Sequence, residues 1–307
     1  MKLKTVVGGV VAGVGAVAAA NAVLSRRAPP LEPALSGEQH TYRWRGIDVR
    51  YAEAGDEDAP TLVLLHGVNA AASNGEFREV FDELAEDYHV VAPDLPGFGT
   101  SDRPQLRYSA ALYEDFVGEF VSEYEEPAVV ASSLTAAYLV GADPDVSRMI
   151  LVCPTERGGP DPMQWLRELI RAPLVGEAVF NLLGSKPSIR YFNADHGYAD
   201  PSRVSEEWMD YEWRTAHQPN ARFAPASFIS GYLNSEVDFE SALTETDVPV
   251  TLVWGRESDL VPLKDGRELA EAADCKLVVF DDAKLLPHVE FPEQFLSTVR
   301  EEMGVSA

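Results

Sequence analysis

Residues 5–24 carry no charge, consist almost wholly of Val, Ala and Gly, and lie between Lys2 and Lys4 on one side and Arg26 and Arg27 on the other. A helix of about 20 apolar residues spans a bilayer core. The run therefore reads as a retained single-pass N-terminal membrane anchor, with Gly9 and Gly13 offering a G-x-x-x-G face. Ala18-Ala19-Ala20 and Ala20-Asn21-Ala22 each fit an A-x-A cleavage site, so the alternative is a signal peptide (within residues 1–27) and secretion. The flanking charges balance and leave topology open. Residues 28–39 form a Pro-rich linker without periodicity, stiff enough to hold a folded domain off a membrane.

From residue 40 the pattern turns regular. Residues 40–53 alternate polar and apolar and turn at Arg45-Gly46, which predicts an antiparallel hairpin on a sheet edge. Short apolar runs then follow at 61–65, 88–92, 127–131, 148–153, 249–254 and 276–280. Helical spacing falls between or after them at 77–86, 109–124, 263–273 and 292–302. Short strands alternating with amphipathic helices predict βαβ units and a parallel sheet buried on both faces. Residues 155–246 break the rhythm with helical stretches rich in Trp, Tyr and Phe. They read as a helical cap over the carboxyl ends of the strands, dividing an α/β core of residues 40–154 and 247–307.

Charge changes the picture more than composition does. The 307 residues are 46% hydrophobic, ordinary for a globular protein, but 50 acidic residues face only 25 basic ones, a net −25 with a pI near 4.5. Such a surface repels nucleic acid, which is not expected as a partner. It also repels itself at low salt, so the chain reads as an acidic, halophilic protein. Cys153 and Cys275 are too few for a disulfide framework, and their spacing suggests no metal site.

The chemistry centres on Val129-Val130-Ala131-Ser132-Ser133-Leu134-Thr135-Ala136-Ala137. A β-branched run enters small residues and leaves as an Ala-rich helix, the signature of a strand–tight turn–helix that displays one side chain. In the pattern G-x-S-x-G, Ala131 and Thr135 stand at the glycine positions and Ser133 at the nucleophile. His66-Gly67 follows the strand at 61–65 and places backbone N–H groups to face an oxyanion, together with that of Leu134. Asp94-Leu95-Pro96-Gly97-Phe98-Gly99 forms a loop after the next strand, Trp254-Gly255 ends a late strand, and Pro287-His288-Val289-Glu290 precedes the last helix.

With these motifs residues 40–302 resemble the α/β-hydrolase fold family, of the capped, serine-nucleophile type. The resemblance implies a mostly parallel eight-stranded sheet with a helical cap and a serine–acid–histidine triad in that chain order. It implies no cofactor and no metal. Carried over, Ser133 is the nucleophile, His66, Gly67 and Val68 form the oxyanion loop, and Gly67, Val68 and Leu134 form the oxyanion hole. Two positions depart from the family. Ser258 stands where the acid belongs, leaving Asp259 or Glu257 beside it as the candidate, and Leu285 stands where the catalytic histidine belongs. His288, three residues on, matches a second, supporting histidine and is the provisional base, with Asp259 as its acid. His196 and His217 in the insertion are further candidates, whereas His40 and His89 read as structural. The function expected is a membrane-tethered hydrolase of an ester or related acyl substrate, small and apolar given the aromatic cap. The alternative is a catalytically degenerate member that binds an apolar ligand or partner.

Overall fold

The computed structural model describes residue 21 and residues 28–304, so the expected anchor lies almost wholly outside the described residues. Among those described, no helix is long and apolar enough to cross a membrane. The expected edge hairpin is β1 (Glu38–Trp44) paired antiparallel with β2 (Ile47–Ala54). Its turn puts Arg45 and Gly46 at positive φ, conformations that suit a tight hairpin. The other strands are β3 (Thr61–Leu65), β4 (His89–Pro93), β5 (Ala128–Ser132), β6 (Arg148–Val152), β7 (Val250–Gly255) and β8 (Lys276–Phe280). They form one eight-stranded sheet in the order β1-β2-β4-β3-β5-β6-β7-β8. It is parallel from β4 through β8, while β2 meets β4 antiparallel.

The apolar runs are continuous rather than alternating because the sheet has a core on each side. Val63, Leu65, Val129, Ala131 and Leu151 face one cluster, and Leu62, Leu64, Val130, Ile150 and Val253 face the other. The predicted helix over 77–86 breaks into a 3-10 turn (Asn74–Phe77) and a single turn, α1 (Phe81–Leu84). This shortening brings Glu76 inside the fold. The remaining core helices are α2 (Ala110–Val121), capped by Ser109, and α3 (Leu134–Ala142). Between β6 and β7 the described chain is helical: α4 (Gln164–Arg171), α5 (Val175–Leu183), α6 (Lys186–Phe192), α7 (Glu206–Ala216), α8 (Phe223–Ile229) and α9 (Phe239–Glu245). After β7 come α10 (Leu263–Ala272), α11 (Pro287–Glu290) and α12 (Pro292–Glu302).

The linker differs from the spacer expected of its prolines. Leu35 is buried against the core, and the Tyr211 hydroxyl donates to the Glu32 carbonyl at 3.1 Å. The Gln218 amide donates to the Pro29 carbonyl at 2.8 Å. A proline-rich strand has unpaired carbonyls, and donors on α7 (Tyr211) and just past its end (Gln218) take them up. The linker is thus a strap laid along the insertion.

Candidate active site

Strand β5 runs into α3 through Ser133, whose φ of 54° and ψ of −126° lie where a non-glycine residue stays only if its surroundings hold it. They do. The Ser133 N–H donates to the Val152 carbonyl at 2.8 Å, and its own carbonyl accepts from Ala136 at 3.2 Å and Thr155 at 3.4 Å. The half-buried side chain therefore stands on a fixed turn at the N-terminus of α3. Thr135, read from sequence only as a tight substitute for glycine, does more. Its hydroxyl donates to the His66 carbonyl at 2.7 Å and fastens the loop after β3 to the turn.

In that loop His66 is fully buried and the Leu95 N–H donates to its Nε2 at 3.0 Å. The proton therefore sits on Nδ1, which donates to the Gly67 carbonyl at 2.7 Å. Gly67 itself corrects the expected oxyanion hole. Its N–H donates to Glu76 Oε2 at 2.9 Å and is already committed. Val68 and Leu134 have no acceptor for their N–H groups among the described residues, so two donors remain. A Cβ at position 67 would lie 3.3 Å from Glu76 Oε2, from Ser132 Oγ and from Ser133 Cβ, which shows how tightly these groups crowd one point.

His288 is wholly buried, with Nε2 3.2 Å from Glu76 Oε1, an ion-pair distance without the alignment of a hydrogen bond. Phe77 and Phe295 flank its ring at 5.3 and 5.6 Å. Burial pushes the Glu76 carboxyl up, but the adjoining His288 and then Ser132 outweigh it, leaving the group below its ordinary value. Neither His288 nitrogen hydrogen-bonds Ser133.

The expected Asp259–His288 pair does not form. Asp259 and Glu257 are both exposed, while Ser258 is buried and its hydroxyl accepts from the Val261 N–H at 3.3 Å. Leu285, at the family's histidine position, packs against the larger core cluster. Its loop is pinned by Glu290, whose carboxylate accepts from the N–H groups of Lys284 (2.9 Å), Ala199 (2.9 Å) and Asp200 (3.3 Å). His217 is turned onto its own helix, stacked on Trp213 with Nδ1 at the Trp213 carbonyl, and His196 pairs with Asp195. His89 pairs with Glu53 at the sheet edge. Cys153 at the end of β6 is buried, and burial pushes its thiol up to about 12, so it is no nucleophile. No group of three or more His, Cys, Asp or Glu placed to hold a metal occurs among the described residues.

Glu76 is what sequence reasoning missed. It lies in no motif and just before a segment of helical spacing, where an acidic residue looks like solvent-facing charge. Two surface hollows, of about 190 and 530 Å³, are lined by residues such as Arg190 and Met209 or Trp44 and Leu112, and neither is lined by Ser133. A Cβ at Gly158 would meet Phe228 of α8 at 2.7 Å and Leu134 at 3.5 Å, which shows how closely the insertion packs on the residue after Ser133.

Residues 62–298 match the alpha/beta hydrolase family. An uncharacterized hydrolase of Saccharomyces cerevisiae is 45% identical over 60 residues, one fifth (20%) of either chain. The 2-hydroxy-6-oxo-6-(2'-aminophenyl)hexa-2,4-dienoic acid hydrolase of Metapseudomonas resinovorans is 24% identical over 272 residues, 81% of this chain and 85% of that one. The solved 2-hydroxy-6-oxo-6-phenylhexa-2,4-dienoate hydrolase of Rhodococcus superposes with a TM-score of 0.70 at 23% identity, covering 87% of this chain and 99% of its own.

Proposed function

As the chain belongs to the alpha/beta hydrolase family, we propose that it hydrolyses a small ester or related acyl compound through Ser133, and that residues 5–24 tether it to a membrane. The observation that carries the reading is the strained, fully braced Ser133 beside two N–H groups with no acceptor of their own, those of Val68 and Leu134. A turn is kept at that conformation when the side chain it displays has work to do. In the proposed reaction Ser133 Oγ adds to the acyl carbon and the carbonyl oxygen takes the charge between the two amides. The hydroxyl proton passes to the buried Glu76–His288 pair and then to the leaving alcohol. Water repeats the sequence on the acyl-serine and releases the acid. In this reading Glu76 replaces Asp259 as partner of His288.

Labelling with a fluorophosphonate probe, alongside turnover of short acyl esters, tests this. The wild-type chain should label and Ser133→Ala should not. Glu76→Gln keeps the volume and should slow both readouts by about 10²-fold or more, the usual scale for a lost proton acceptor. Asp259→Asn should change neither. A wild-type chain that folds but does not label would sink the reading.

Leu285 packed against the core and Ser258 at the acid position favour a second reading, a member of the family that binds an apolar ligand without cleaving it. It predicts no labelling, and saturable ligand binding that survives Ser133→Ala.

A further inference from the structure

The described part of the chain exposes nine large hydrophobic side chains, and seven of them lie within residues 165–192. Trp165 is 66% exposed, Val175 55%, Leu182 72% and Tyr191 60%, with Phe192 stacked edge-on against Tyr191. These residues stand on α4, α5 and α6, three consecutive helices that pack against one another in turn. Single exposed apolar residues need no explanation, but such a concentration on one element group marks an interaction surface.

The charge pattern coincides with it. Residues 162–192 hold only Glu168 and Glu177 of the chain's 50 acidic residues, about one in 16 positions against about one in six elsewhere. Their basic residues are engaged: Lys186 with Asp210, Arg190 with Glu206, and Arg171 with the carbonyls of Gln105 and Leu106. The anionic shell is thus thin over these helices, and the carboxylates that border them, Asp195, Glu206 and Asp210, are held by Tyr191, Arg190 and Lys186. Asn21 gives the third observation. Asn21, near the end of the apolar run, donates to the Leu174 carbonyl at 3.0 Å and accepts from Asn181 at 3.1 Å, both on the edge or body of α5. Asn21 thus sits beside the apolar face.

We propose that the face formed by α4–α6 docks on a lipid bilayer, with Trp165, Val175, Leu182 and Tyr191 seated among the acyl chains and headgroups. Aromatic and aliphatic side chains on short helices lie in the interface this way, and the half-exposed stem of Lys186 suits its edge. Docking adds to the N-terminal tether and is independent of it: the tether holds the chain at the membrane, and the face sets which side of the insertion meets lipid.

The test uses the full chain carrying Leu182→Cys in a Cys275→Ser background, Cys153 being enclosed. A polarity-sensitive dye at position 182 is followed with phosphatidylcholine vesicles, with and without brominated acyl chains, and the vesicles are then extracted with alkaline carbonate. The expected result is a blue-shifted emission quenched by the brominated lipid, with the quenching lost on Val175→Asp. Quenching followed by release into carbonate leaves docking standing and overturns the tether. Carbonate-resistant protein whose dye stays in water overturns docking and leaves the tether. A blue shift without vesicles, growing with protein concentration, assigns the face to a second copy and overturns docking. No association with vesicles overturns both.

Discussion

Thr135 shows how one side chain turns a loop into a site. Its hydroxyl is fully buried and spans from the helix after Ser133 to the carbonyl of His66, so the Val68 amide is placed by it at one remove. Thr135→Val keeps the shape and leaves that carbonyl without its donor. We expect a loss of about 1–2 kcal/mol in stability, the cost of an unmet buried acceptor. A fall in fluorophosphonate labelling at unchanged probe affinity would show that the oxyanion loop has shifted, and equal labelling would show that it has not. The strained turn at Ser133 and the loop at His66-Gly67 were legible in sequence because each follows a strand end within a short motif. The Glu76–His288 contact was not, since it joins residues 212 positions apart through a 3-10 turn that single-residue spacing reads as helix. The pairing of His288 with Asp259 failed for a related reason: adjacency of loops in a fold says nothing about which way a side chain on them points.

At the scale of elements, α7 carries a carboxyl that titrates near neutrality. Glu212 accepts from the Asn193 amide at 2.7 Å, and burial pushes its value up to about 7, with Asn193 and Arg78 only partly opposing. An acid raised on folding binds more protons folded than unfolded between the ordinary carboxylate range and that value. Its contribution therefore favours the fold at low pH, declines from about pH 4.5 to pH 7, and is a constant penalty above. Glu212→Gln should remove this decline, leaving stability near that of the wild type at pH 5 and raising it at pH 8 by at most about 3 kcal/mol. Urea midpoints at the two pH values check it, and an equal change at both would place the effect in packing. The strand and helix order was readable because the sheet is buried on both faces, so each strand is a solid apolar run between amphipathic helices. The insertion was readable only as helical, because its helices pack on one another through a small cluster of their own, Ile170, Phe180, Ala216 and Ala226, that no periodic pattern announces.

The whole molecule carries −25 at neutral pH, and nearly all of that charge lies at the surface. Salt at about 0.1 M screens repulsion between charges more than about 10 Å apart, and higher salt shortens that range further. The melting temperature should climb with KCl from low to molar concentration. A flat response would mean that the ion pairs, such as Glu302 with Arg148 and Lys276, already offset the excess. The strap of residues 29–36 bears on a different question, the order in which the polypeptide is made. Its carbonyl at Pro29 waits for Gln218, 189 positions later, and that at Glu32 for Tyr211, 179 positions later. At about 5–20 residues per second on a ribosome, the strap spends roughly 10–40 s outside the exit tunnel before its acceptors meet their donors. Through that interval Leu35 has no finished core to enter, so a nascent chain of this protein is one that a holding chaperone has time to find.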